Sequence, residues 1–126
     1  MLRKVGFFCE LPHGDPSGPS LASIARVPLP DKGLVIGYLN GGSVLAATGT
    51  IARDVLTDEP HPIGPLSLLT DGVWVWLSDL QYYVGTYDVT LPEEFLAHAR
   101  LTGGPPRELT REELSALAVM MRRQKM

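Results

Sequence analysis

The stretch TDGVWVWLSDLQYYVGTYDVTLPEEF, residues 70–95, decides the fold. It opens with an Asp71-Gly72 pair between apolar runs, which predicts a β-hairpin because glycine adopts positive φ without strain. A helix is predicted over residues 79–87, and the serine just before it is placed to cap it. The apolar residues of that helix recur at helical spacing and form one stripe: Leu80, Tyr83, Val84 and Tyr87. Pro92 and the two glutamates after it are typical of a helix start, so the stretch predicts two strands followed by two helices.

Similar patterns extend the prediction towards both ends of the chain. A capping box, Thr110 to Glu113, marks a last helix, since these two side chains bind N–H groups at a helix start. Two proline-rich segments, residues 11–20 and 58–65, are predicted as surface loops. The remaining predicted elements are an opening strand, a short helix, a further helix and a strand pair, over residues 2–10, 20–27, 31–41 and 43–56. The sequence thus predicts one α+β domain over residues 1–126, a small, mainly antiparallel sheet with three to four helices packed on one face.

The composition is that of a soluble globular chain. Of the 126 residues, 44% are hydrophobic and 20% are charged, which provides enough apolar material for one core. Cys9 is the single cysteine, so an internal disulfide and a zinc site built from paired cysteines are excluded. No stretch approaches the roughly 20 apolar residues of a membrane span, and the N-terminus lacks the apolar run of a signal peptide. We therefore expect a cytoplasmic protein that does not enter a membrane.

The charges are segregated along the chain. Residues 54–99 carry eight acidic residues and no lysine or arginine, whereas both flanking segments carry a net positive charge. Such a segment focuses a negative potential if its carboxylates share one surface. The alternative is that the basic ends fold over the segment and cancel its charge. The sequence alone leaves both arrangements open.

No constellation of residues indicates a reaction. His13, His61 and His98 are widely spaced and form none of the HxH, HxxxH or HExxH pairs that supply metal ligands from one element. The nucleophile motif GxSxG and the phosphate-binding motifs GxGxxG and Walker loop do not occur. Nucleic acid is disfavoured because the aromatic residues lie in the acidic segment, where a phosphate backbone is repelled. We therefore predict no catalytic residues, no metal, no cofactor and no nucleic-acid partner.

The acidic, aromatic segment instead predicts a binding face for a basic protein. Aromatic side chains supply buried area at the centre of such an interface, and carboxylates at its rim steer a cationic partner. Tyr82 is placed outward by the helical phase, beside Asp79, and Trp74 lies either on this face or in the core. The predicted partner-binding residues are Asp54, Asp58, Glu59, Asp71, Trp74, Asp79, Tyr82 and Asp88.

From Asp71 to His98 the chain resembles a family of small actinobacterial proteins of unknown activity, with the pattern DGxWVWxxDLxYYVxxYxVxLPxEFLxH. That family supplies no catalytic residues to transfer. The order of a strand, a short aromatic helix and an LPxEF helix also resembles immunity proteins of bacterial polymorphic-toxin systems, which are small, acidic and cytoplasmic and bind a cognate toxin. This second resemblance implies a non-catalytic protein whose partner is a toxin domain.

The sequence supports three functional hypotheses. The first is a non-catalytic protein-binding module, in particular an immunity protein that neutralises a basic toxin domain through the acidic, aromatic face. The second is a small-molecule-binding protein or an unrecognised enzyme, with a site between the loops at residues 11–20 and 58–65. That site would lie around His13 and His61, with Trp74 as a stacking wall. The third is a homodimer that pairs through an exposed face of the sheet.

Overall fold

A computed structural model describes residues 2–59 and 61–124, with the backbone alone described at residues 122–124. Within these residues a four-stranded sheet has the strand order β1-β4-β3-β2. The elements in chain order are β1 (Arg3–Lys4), α1 (Lys32–Asn40), β2 (Ser43–Arg53), β3 (Pro62–Thr70), β4 (Trp74–Leu77), α2 (Leu80–Tyr87), α3 (Glu93–Thr102) and α4 (Arg111–Gln124). Strand β1 pairs parallel with β4, and the other two strand pairs are antiparallel. The predicted α+β class with a mainly antiparallel sheet is therefore confirmed.

The hairpin between β3 and β4 is held by the side chain of Asp71. Its oxygen Oδ1 accepts the backbone N–H groups of Val73 and Trp74, at 2.9 and 2.7 Å. Gly72, within the turn, has a φ of 97°, which a residue with a Cβ rarely adopts. Thr70 closes the turn by donating its hydroxyl to the carbonyl of Trp74 at 2.7 Å. The predicted Asp-Gly hairpin is confirmed.

Both tryptophans belong to the hydrophobic core. Trp74 and Trp76 are 3% and 0% exposed and lie on the same face of β4. Phe95 of α3 meets both indoles edge to face, with ring centroids 5.3 and 5.7 Å apart. Tyr38 of α1 packs against Phe95 at 5.9 Å, and the indole N–H of Trp76 donates to the carbonyl of Leu39 at 3.1 Å. Helices α1 and α3 thus cover this face, and the alternative that places Trp74 at the surface is wrong.

The opposite face of β4 is also covered. Val75 and Leu77 point there, because side chains alternate along a strand, and they are 0% and 1% exposed. Phe7 from the N-terminal segment and Met121 from α4 line a cavity together with Leu77. The prediction of helices on one face therefore holds for α1 and α3, while α4 lies beside β2 and reaches the other face.

The N-terminal segment differs from its prediction. Residues 5–30 contain no helix or strand longer than an isolated bridge, so the strand predicted over residues 2–10 is wrong beyond Lys4. Gly6 turns the chain with a φ of 76°. The side chain of Leu80 fills the space that a Cβ at this glycine would need, as close as 2.6 Å. The side chain of Leu80 therefore leaves room only for a glycine at this turn, two residues after β1 ends.

The first proline loop is closed at its base. The N–H of Cys9 donates to the carbonyl of Pro19 at 2.9 Å. The carboxylate of Glu10 accepts the N–H groups of Leu21 and Ala22, at 2.9 and 3.1 Å. The short helix predicted from the following serine is wrong, because a distant carboxylate, and not a helix, organises these N–H groups into turns. Compact loops with closed ends often carry function.

Strand β2 is one irregular strand where the sequence predicts a pair. Gly49 lies within it at a φ of 75°. The pairing with β3 shifts register between Ala47 and Ile51, around this glycine. Glycine therefore bends the strand without breaking it, as expected for a bulge.

The helix predictions are confirmed in large part. Helices α1, α2 and α3 form where expected, and Gly103 ends α3 with a φ of 72°. In α4 the N–H of Glu113 donates to the Thr110 hydroxyl at 3.2 Å, and the N–H of Thr110 donates to the Glu113 carboxylate at 3.1 Å. Ser78 does not cap α2; its hydroxyl donates to the carbonyl of Pro65 at 3.2 Å. Of the helices in the described part of the chain, none has both the length and the apolar character needed to cross a membrane.

The ring cluster predicts a large stability difference between two positions of α3. Phe95→Ala is expected to lower the free energy of unfolding by about 3–5 kcal/mol, because it leaves a cavity among three rings. Leu101→Ala, on the same helix at 88% exposure, is the matched control and is expected to change it by less than about 0.5 kcal/mol. Urea denaturation measures both. Equal losses would contradict the packing described.

Candidate functional site

The predicted partner-binding residues do not share one surface. Asp54 and Asp79 are 0% and 4% exposed, and the side chain of Asp71 is 2% exposed. Trp74 is buried in the core. Half of the predicted face therefore lies inside the protein.

The other four predicted residues differ in their exposure and in the contacts that they make. Asp88 forms an ion pair with Lys32. Tyr82 is half-buried and packs against the core, so helical phase alone overestimated its exposure. Asp58 and Glu59 are exposed in the loop after β2. These two acids keep the exposure that the prediction requires.

Basic residues from the N-terminal part of the chain neutralise two acids of the middle segment. Besides the Lys32–Asp88 pair, the guanidinium of Arg3 lies 3.1 Å from a carboxylate oxygen of Glu94. Exposed pairs of this kind add little to stability. They do reduce the negative potential of the surface, so the arrangement in which the ends cancel the charge is realised at these positions.

A buried polar cluster surrounds Asp54 at the end of β2. Tyr82 and Tyr87 donate their hydroxyls to its oxygen Oδ2 at 2.6 and 2.7 Å, and the N–H of Leu56 donates to Oδ1 at 2.8 Å. The Nε2 atom of His61 lies 3.0 Å from the Tyr82 hydroxyl. Burial alone would raise the pKa of Asp54, but these hydrogen bonds outweigh it and hold the pKa below its usual value. Both oxygens are satisfied, so the cluster ties the loop after β2 to α2.

A second cluster joins Asp71 to His98. The Nε2 atom of His98 lies 3.1 Å from Oδ2 of Asp71, and Tyr38 donates its hydroxyl to the same oxygen. Burial, and then the Asp71 carboxylate, raise the pKa of Tyr38 well above its usual value. An Asp–His pair becomes catalytic when its imidazole activates a hydroxyl or thiol. The hydroxyl of Thr102 donates instead to the backbone carbonyl of His98, at 3.3 Å. The cluster thus links α1 and α3 to the hairpin.

Asp79 differs from both because one of its oxygens has no partner. It occupies the N-cap position of α2, yet its side chain makes no capping hydrogen bond. Its oxygen Oδ1 is buried and accepts no hydrogen bond within the part of the chain that the structure describes. Burial raises the pKa of Asp79 to about 6, against the opposing effects of its own backbone N–H and the charge of His13. Asp79 is thus a buried carboxyl group with unused acceptor capacity.

Asp79 lines a cavity of about 100 Å³, called the Asp79 cavity below. Leu11 and Leu77 form part of its buried wall. His13 and Arg53 line it as well, and both residues are exposed. The cavity therefore has an apolar interior with one acid, and two exposed basic residues belong to its wall.

A second cavity of about 270 Å³ adjoins the first. His13 and Leu77 belong to the walls of both, so these two side chains divide the spaces. Phe7, Leu68 and Met121 contribute further apolar wall to the second cavity.

The position of this site differs from that predicted between the two proline loops. The first loop supplies His13, but the opposite wall comes from β2 and the end of β4, not from residues 58–65. His61 belongs instead to the Asp54 cluster. Trp74 lies beneath Arg3, whose guanidinium carbon is 4.2 Å from the centroid of the indole ring. Trp74 is therefore a core residue and not the stacking wall that was expected.

The helical pattern predicts the wrong orientation for Asp79, and the reason is physical. Helical phase placed it opposite the apolar stripe of α2. As an N-cap residue, Asp79 lies before the first helical residue, and the preceding strand β4 sets its direction. Because β4 is buried on both faces, the residue that follows closely after it stays inside. An acid two residues after a continuous apolar strand is the available signal.

No protein-family model, curated protein or solved structure matches this chain. The resemblances to the actinobacterial family and to immunity proteins therefore stay predictions. Over residues 2–59 and 61–124, no three His, Cys, Asp or Glu side chains are grouped so as to hold a metal ion. The geometry of the Asp79 cavity is one feature that can indicate a function.

The raised pKa of Asp79 predicts how stability depends on pH. The pKa is about 6 in the folded chain and about 4 in the unfolded chain, so folding favours the protonated form. The stability that this group contributes is complete below about pH 4 and is lost as the pH rises through 6. Asp79→Asn, which stays neutral, is therefore expected to be more stable than the wild type above pH 7, by roughly 1–3 kcal/mol.

Denaturation at several pH values measures this difference. Asp58→Asn, at an exposed acid, is the control and is expected to follow the wild type. If Asp79→Asn is the less stable protein at pH 8, Asp79 has a partner in the folded chain.

The Asp54 cluster predicts the opposite pH dependence. Tyr87→Phe is expected to lower the free energy of unfolding by roughly 1–3 kcal/mol at neutral pH, because a buried charged acceptor loses one donor. Since the pKa of Asp54 is held below its usual value, the stability is present above about pH 4 and is lost as the pH falls further. The deficit of the variant is expected to shrink in acid. Thr86→Ala, at the exposed neighbouring position, is the control.

Proposed function

We propose that the chain is a small-molecule-binding protein and that its binding site is the Asp79 cavity. One observation carries the proposal: the oxygen Oδ1 of the buried Asp79 has no hydrogen-bond partner among the described residues, and Asp79 lines a cavity whose wall is mostly apolar. The ligand then presents a hydrogen-bond donor, either an ammonium or a hydroxyl group, to this oxygen.

The free-energy cost of the group supports a ligand. A buried carboxylate without partners typically costs several kcal/mol, and proteins avoid the arrangement unless another contact offsets it. A loop closed at its base, which carries His13, lies over the cavity. Ligand sites combine such an apolar space with a few fixed polar groups.

Binding is supported better than catalysis. Asp79, His13 and Arg53 are the ionisable residues of the cavity wall, and His13 interacts electrostatically with Asp79. The hydroxyl-bearing side chain in the wall is that of Thr50, which is exposed. A single carboxylate and one imidazole also fall short of the six to eight oxygen ligands that hard cations such as Ca²⁺ take.

The hypothesis of a protein partner, including a basic toxin domain, stays a prediction. Its charge argument is weaker than the sequence indicates, since Asp54, Asp71 and Asp79 are inside the protein. Of the acids predicted to bind a partner, Asp58 and Glu59 remain exposed. The homodimer likewise stays a prediction. A cytoplasmic location is part of our proposal, and it fits an exposed thiol at Cys9 without a disulfide partner.

A thermal-shift comparison tests the proposed site. Small amines and alcohols are expected to raise the melting temperature of the wild type by several degrees at concentrations far above Kd, whereas matched carboxylates are not. Asp79→Asn is expected to lose most of the shift that the amines produce. Asp58→Asn, which changes the net charge equally, is expected to keep it. A shift that persists fully in Asp79→Asn, or no shift with any compound, would overturn the proposal.

A further inference from the structure

We infer that the ligand is an amphipathic primary amine, whose ammonium group contacts Asp79 and whose apolar tail extends past His13 into the second cavity. This inference rests on the proposed function and narrows it to one class of ligand. Two observations carry it: the unpartnered carboxylate oxygen of Asp79, a residue that lines the first cavity, and the two side chains that the walls of both cavities share.

The charge and the volume of the Asp79 cavity indicate the head group of the ligand. Asp79 is the one acid among the described residues that line it, so a cation gains a charge-assisted hydrogen bond without meeting a second carboxylate. A volume of about 100 Å³ holds about three water molecules at their liquid density. An ammonium group with the first carbons of its chain fits this space, and a larger head group does not.

The charges around the cavity limit the class further. His13 and Arg53 are the basic residues in its wall, and both are exposed. A dication would bring its second charge close to them. A single ammonium group placed at the buried end avoids this repulsion, so a monoamine is the expected ligand.

The wall and the volume of the second cavity indicate the tail of the ligand. Phe7, Leu68 and Met121 offer apolar surface to an alkyl or aryl group, and the charged residues Lys4 and Asp15 belong to the same wall. The space of about 270 Å³ is large enough for several methylene groups. Each methylene that leaves water is expected to tighten binding about fourfold.

His13 separates the two spaces and is the point at which they can join. Its side chain is exposed and belongs to the walls of both cavities. Because exposed side chains change rotamer within nanoseconds, its movement opens a passage without unfolding the loop.

The test is a calorimetric series of straight-chain primary amines from ethylamine to hexylamine, with the matched alcohols, at a pH of about 8. We expect each amine to bind the wild type at least tenfold more tightly than its alcohol. We also expect affinity to rise about fourfold per methylene and then to level off once the second cavity is filled. Asp79→Asn is expected to abolish the difference between amine and alcohol and to keep the dependence on tail length.

Two variants on β2 test the path of the tail. Thr48 lines the second cavity, so Thr48→Phe is expected to remove the gain from longer tails and to leave ethylamine binding within about threefold. Ala46, which is exposed and outside both walls, provides the control in Ala46→Phe.

The outcomes separate the inference from the proposed function. If the wild type prefers amines but its affinity does not depend on tail length, the ligand does not reach the second cavity. That result would leave the Asp79 site in place. Alcohols that bind the wild type as tightly as amines would overturn the cationic head group. Failure of every compound to bind the wild type would overturn both.

Discussion

Strand β4 is buried on both faces, and this constraint determines the rest of the structure. Trp74 and Trp76 fill one side, against Phe95. Val75 and Leu77 fill the other side. The chain turns into α2 immediately after this strand, so Asp79 is carried into the interior. A polar group thereby reaches a place where the surrounding side chains offer it no hydrogen bond.

Four acids of the middle segment are accommodated in three different ways. Asp54 and Asp71 serve as acceptors for tyrosine hydroxyls and backbone N–H groups, which compensates for their burial. Asp88 pairs with a lysine from the start of α1. Asp79 alone among these four keeps a buried oxygen without a hydrogen bond or an ion pair in the described chain. A run of acids in a sequence therefore does not amount to an acidic surface, because the side chains of three of these four are buried and the fourth is paired.

Local patterns predicted the elements whose causes are local. The Asp71-Gly72 turn, the apolar stripe of α2 and the capping box at Thr110 each involve contacts within a few residues, and each forms as expected. The N-terminal segment failed because its causes are distant. Gly6 is required by the side chain of Leu80, which no local pattern reveals.

The candidate site was missed for the same reason. The sequence indicated that His13 lies in a loop of interest, but it paired that loop with residues 58–65. The partner is instead the sheet, and the decisive group is Asp79. Whether a carboxylate is exposed, satisfied or buried without partners depends on packing over the whole chain. The composition of the chain and the spacing of its residues do not reveal this packing.

The central claim is that Asp79 is a buried acid whose oxygen Oδ1 has no hydrogen-bond partner among the residues that the structure describes. The most direct measurement is an NMR titration of its side-chain carboxyl carbon, assigned with the help of Asp79→Asn. We predict a midpoint near pH 6, clearly above the usual value near 4 for aspartate. A midpoint at or below 4 would contradict the account, since it would mean that protein groups already stabilise the charged form.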